Sequence, residues 1–115
     1  MKILICEPHK RPYVKDIAHT LENLQSVVGG YIHALYPFEE EAAVVCNEEA
    51  LLIGLEANRT VEHYGMIFGT FFVCGLTEDD FTGLTDEQIE QYTELYQTPE
   101  MLVRIADEII AIPEF

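Results

Sequence analysis

The chain has 115 residues, 49% of them apolar, and 21 Asp or Glu against 6 Lys or Arg, for a net charge of −15. That length fits a single domain over residues 1–115 with room for a core, and the apolar share excludes a disordered acidic tail. No run of about 18 apolar residues offers a membrane span, and Ile3–Cys6 is too short for the core of a secretory signal, so the expected setting is cytoplasmic.

Residues 2–6 (KILIC) form a short branched apolar run, expected as a buried strand. The following EPHKRPY, with two prolines, reads as a loop. Ile17, Leu21, Leu24, Val27 and Val28 recur at helical spacing, and Gly29-Gly30 stops that helix. Tyr31–Tyr36 reads as a second strand, ended by Pro37, and Ala42–Cys46 as a third. Asn47–Ala50 reads as a hairpin turn into a fourth strand at Leu51–Leu55, and Glu56–Tyr64 as irregular. Met66–Cys74, almost wholly apolar, is expected as one central strand covered on both faces.

Thr85 with Gln88 three residues later is a capping box, opening a helix with Ile89, Tyr92, Leu95 and Tyr96 on one side. Thr98-Pro99-Glu100 resembles a second helix start, followed by Leu102, Ile105, Ile109 and Ile112 at helical spacing. The expected fold is α+β: a mainly antiparallel sheet of about five strands, one helix after the first strand, and two C-terminal helices.

The charges are unevenly placed. Lys2, Lys10, Arg11 and Lys15 offset Glu7, Asp16 and Glu22 in the first 38 residues; beyond them only Arg59 and Arg104 face eighteen acids. The runs Glu78-Asp79-Asp80 and Asp86-Glu87, extended by Glu90 and Glu94, place acids along one helical face and its approach. Glu39-Glu40-Glu41 and Glu48-Glu49 add to the excess. Such runs serve solvation, or they steer a basic partner or imitate the regular charge of nucleic acid. No calcium-loop pattern is present, and no metal ligand set is assigned.

This charge opposes direct binding of nucleic acid. The cluster of His9, Lys10, Arg11 and Lys15 either holds a phosphate at the first helix or offsets acids of the same chain. Arg59 either pairs with a carboxylate through its planar fork or holds an anionic ligand beside Asn58. A ligand pocket at the sheet edge would use Asn47, Asn58, Arg59, Thr70 and Tyr31. Cys6, Cys46 and Cys74 each end an apolar run; an odd count at wide spacing gives no disulfide framework, and they are expected as small buried residues. The four histidines are dispersed, and no nucleophile elbow, Walker loop or dinucleotide fingerprint occurs, so no catalytic residue or cofactor is assigned.

Several segments together resemble a known family: Lys2–Ile17, Val28–Arg59, Gly69–Phe81 and Leu84–Glu100, with Gly29-Gly30-Tyr31, Tyr36-Pro37, Cys46-Asn47-Glu48, Asn58-Arg59 and Gly69-Thr70-Phe71-Phe72 as the clearest pieces. The family is a small domain of unknown function encoded by Gram-positive gut bacteria and their phages and integrative elements. Ala57 stands where that family's pattern has a bulkier aliphatic. The resemblance brings no established activity and no catalytic residues to carry over. It implies a mobile-element setting, in which small accessory proteins blunt host defences.

Two functions from different classes follow. The first is a non-enzymatic interaction protein whose acids Glu78, Asp79, Asp80, Asp86, Glu87, Glu90 and Glu94 engage a basic, nucleic-acid-handling protein. The second is a nucleotide-like ligand module around Arg59. A structural subunit of a larger assembly, including a homo-oligomer, is the remaining alternative.

Overall fold

The computed structural model describes residues 1–115. Three strands form its framework: β1 (Lys2–Cys6), β4 (Ala42–Asn47) and β7 (Phe71–Leu76). Their residues are apolar at both odd and even positions, so both faces of the sheet must be covered. On one face Ile3, Ile5, Ala43, Val45, Phe72 and Cys74 meet Leu24 and Val28 of helix α1 (Leu21–Val28). On the other, Leu4, Val44, Phe71 and Val73 meet Leu84, Tyr92 and Tyr96, brought by helix α2 (Asp86–Leu95) and its flanks. Burying Phe71 and Phe72 completely contributes about 2–3 kcal/mol each.

Strand β2 (Tyr13–Asp16) and strand β3 (Ile32–Leu35) complete the main sheet, in the order β2-β1-β7-β4-β3. The short β8 (Phe81–Thr82) pairs with the end of β7. A separate hairpin, β5 (Ala57–Val61) with β6 (Gly65–Phe68), and a second, β9 (Glu100–Ile105) with β10 (Glu108–Pro113), stand beside it. Every pairing is antiparallel. The α+β class and the antiparallel character agree with expectation; the strand count and helix positions do not.

The first helix is shorter than its apolar spacing suggests. Tyr13–Asp16 pairs with β1, and the terminal ammonium of Met1 donates to Asp16 (3.1 Å) and to the Ile17 carbonyl (2.7 Å). The helix therefore starts only after Thr20, whose hydroxyl caps the Asn23 N–H. It ends as expected at Gly29, in the left-handed conformation (φ 78).

Residues 51–55 are no strand. The Asn47 side chain accepts the Glu49 N–H at 2.8 Å, and the chain then coils through Leu55 N–H to Ala50 carbonyl (3.0 Å). The supposedly irregular 57–61 is instead strand β5. The apolar run 66–74 is two strands, broken at Gly69 (φ 79), where a Cβ would lie 2.5 Å from the Leu55 side chain.

The second C-terminal helix is also absent. Val103, Ile105, Ile109, Ile110 and Ile112 favour extended backbone, and the register Ile105 opposite Glu108 closes a tight turn at Ala106-Asp107. No helix is long and apolar enough to cross a membrane.

Candidate protein-interaction surface

The acidic surface is assembled from four segments. Helix α2 starts at the Thr85 capping box: the Thr85 hydroxyl accepts the Gln88 N–H at 3.1 Å, and the Gln88 side chain accepts the Thr85 N–H at 3.0 Å. Tyr92 and Tyr96 turn into the core, Tyr92 tilted against Phe38 and Tyr96 edge-on to Phe38 and Phe71. That fixes Asp86, Glu87, Glu90 and Glu94 on the solvent side, and all four are exposed. Asp86 and Glu87 also sit in the first turn, where the helix dipole favours negative charge.

The loop Glu39–Glu41 bridges this helix to the turn after β7. Glu40 accepts from the Gln91 side chain at 2.8 Å, and the Glu41 carbonyl accepts from the Leu76 N–H at 2.9 Å. The turn itself carries Glu78, Asp79 and Asp80, all exposed, and is held by Thr77 N–H to the Asp80 carbonyl at 2.8 Å. Glu62 joins from β5–β6 by accepting from the Tyr96 hydroxyl at 3.2 Å. The turn lines a shallow cleft of about 420 Å³ with Tyr36, Leu76 and Phe81. Tyr36 is 59% exposed there and offers an aromatic surface beside the acids.

Thus the seven acids expected to form a surface are all on the outside; Glu40 and Glu62 contact α2 and its C-terminal flank, and the Glu41 carbonyl holds the end of β7. Lys or Arg neutralises none of these groups; the only ionic contact among them is His19 to Asp80 at 3.4 Å. Glu62 was not recognisable as a member, because residues 56–64 lacked a clear period. The alternation Arg59-Thr60-Val61 and the Gly65 beyond it were the available hairpin signal.

The five residues of the alternative pocket are not brought together. Asn47 and Tyr31 line one cleft with Gly30 and Ile53, while Thr70 lines two others beside Val27. Asn47 is used structurally: its amide donates to the Val28 carbonyl at 3.1 Å. Asn58 and Arg59 are buried, at 0% and 1% exposure. The Asn58 amide donates to the carbonyls of Cys6 (2.8 Å) and Gly69 (2.9 Å).

Arg59 departs from both expectations. Its guanidinium meets no carboxylate within bonding distance. It donates to the Tyr96 carbonyl (3.0 Å), the Glu7 carbonyl (3.3 Å), the Lys10 carbonyl (2.6 Å) and the Asn58 side-chain oxygen. Four of about five donors are thereby used on fixed acceptors. Burial pulls its pKa down, and Cys6, Glu100 and Glu114 oppose that. Arg59 is a brace joining β5, the N-terminal loop and the end of α2.

The N-terminal basic cluster is splayed rather than convergent. Lys10 reaches Glu7 at 3.7 Å, Arg11 covers the Phe115 ring at 4.7 Å, and Lys15 sits in β2. The three thiols are buried, and burial pushes Cys6 and Cys74 up to about 12 and raises Cys46 as well. The Tyr92 hydroxyl is buried with no hydrogen-bond partner. Burial raises its pKa to about 12, with the nearby Glu40 carboxylate adding to the shift.

A family model described as a domain of unknown function, DUF3846, matches residues 1–97. No curated protein and no solved structure matches the chain.

Proposed function

The chain belongs to the DUF3846 family of unknown function, and from that premise we propose that it is a non-enzymatic interaction protein acting through its acidic end on a basic, nucleic-acid-handling protein. The observation that carries this proposal is that Glu39–Glu41, Glu78–Asp80 and the outer face of α2 are all exposed and free of Lys and Arg contacts. Uncompensated acids on a folded scaffold raise the potential over a wide area and steer a cationic partner. The same charge opposes direct contact with nucleic acid. An accessory role on a mobile element, blunting a host defence that handles DNA or RNA, fits a protein of this kind.

The test is capture from host lysate at low salt, in parallel with the triple variant Glu87→Gln, Glu90→Gln, Glu94→Gln. The proposal expects a basic DNA- or RNA-handling protein, released by moderate salt, displaced by duplex DNA and retained poorly by the variant. Retention that does not change between about 50 and 500 mM salt refutes it, since exposed charges are screened over that range.

A further inference from the structure

His9 lies where three segments far apart in sequence meet. Its Nδ1 contacts the Glu114 carboxylate, after β10, and its Nε2 contacts the Glu56 carboxylate, before β5. A carboxylate only accepts, so both bonds exist together only when both ring nitrogens carry protons. The backbone of His9 is left-handed (φ 69), a conformation that ordinary residues avoid and that aims the ring between the two acids. Around it, Arg11 covers Phe115, and the Glu114 N–H donates to the Pro99 carbonyl at 2.9 Å. The two ends of the β9–β10 hairpin are thus closed together and tied to the loop Glu7–Pro12.

We propose that His9 is a proton-operated clasp, fastening the β9–β10 hairpin to the N-terminal loop when its imidazole is charged and releasing it when neutral. A neutral ring has one donor, so it holds one carboxylate and leaves the other facing a lone pair. The charged neighbours set the balance. On its own loop Glu7 is engaged by Lys10, and Arg11 faces Phe115. From β5, Arg59 donates to the carbonyls of Glu7 and Lys10, on either side of His9. From β9, Glu100 is engaged by the Thr60 N–H at 2.6 Å. Glu114 and Glu56 favour the charge on His9, and desolvation opposes it. The bond to Glu114 is the larger cause and the bond to Glu56 the next; together they raise the pKa of His9 above its ordinary 6.5. A raised pKa in the folded state means that the clasp is complete below the unfolded value and is lost as pH rises through the folded one.

The test pairs an NMR titration of His9 with hydrogen exchange of the hairpin amides, corrected for intrinsic rate. The midpoint is expected above 6.5 in the native protein and closer to 6.5 in Glu114→Gln. Hairpin opening is expected to rise about tenfold, as pH passes from below 6.5 to above the native midpoint, for each unit by which that midpoint exceeds 6.5. His9→Asn, which tolerates the left-handed backbone, is expected to show an open hairpin with no such pH dependence. A native midpoint at or below 6.5, or a His9→Asn protein whose hairpin opens as the native one does at every pH, overturns the proposal.

Discussion

The central sheet and the C-terminal hairpin are built from similar residues and have opposite surroundings. Phe71–Cys74 of β7 are wholly buried, while Ile105 and Ile109 of the hairpin are 57% and 61% exposed. Both stretches are rich in branched or aromatic residues, so strand preference does not distinguish them. What differs is their place in the sheet. β7 has a partner strand on each edge and helices over its faces, whereas β9 and β10 pair only with each other. The family match also stops at residue 97, before the hairpin begins. Burial is decided by topology, and the same kind of strand serves as a core in one place and as an appendage in the other.

The largest contrast should appear in thiol chemistry. Cys6 and Cys74, held at about 12, should react with iodoacetamide at pH 8 on the order of a thousandfold more slowly than a cysteine placed in the hairpin by Ile109→Cys. Equal rates in the folded protein would erase the distinction between the regions.

Next is packing. Phe72→Ala should cost about 3–5 kcal/mol in denaturant unfolding, and Ile109→Ala less than about 0.5 kcal/mol. A large cost for Ile109→Ala would mean that the hairpin face is covered in solution, for example by a second copy.

The seam between the regions is Arg59, which reaches the Tyr96 carbonyl just before the hairpin. Arg59→Met leaves three carbonyls and the Asn58 oxygen without their donor and should destabilise by about 3 kcal/mol. A loss below about 1 kcal/mol would show that water replaces the guanidinium easily. The smallest effect belongs to Tyr92→Phe. Its hydroxyl has no partner, so removing it should leave stability unchanged or raise it by up to about 1 kcal/mol.

Local signals fixed part of this protein. Thr85 and Gln88 announced α2 because both bonds of a capping box lie within four residues, and Gly29 announced the end of α1 because a left-handed cap favours glycine. The apolar runs of β1, β4 and β7 named the core strands, and the acids of 78–94 named an outer surface. Other choices lay beyond local pattern. Leu102, Ile105, Ile109 and Ile112 satisfy a helical period, yet Met101, Val103 and Ile105 satisfy a strand period equally well. Only pairing between β9 and β10 decides, because an extended backbone must find its hydrogen bonds on another strand. Likewise the sequence showed that Arg59 was isolated among acids, but not that three carbonyls from distant segments, with the neighbouring Asn58 side chain, would enclose it. The joining of Glu40 and Glu62 to α2, and of His9 to Glu56 and Glu114, depends on long-range contacts that leave no period in the chain.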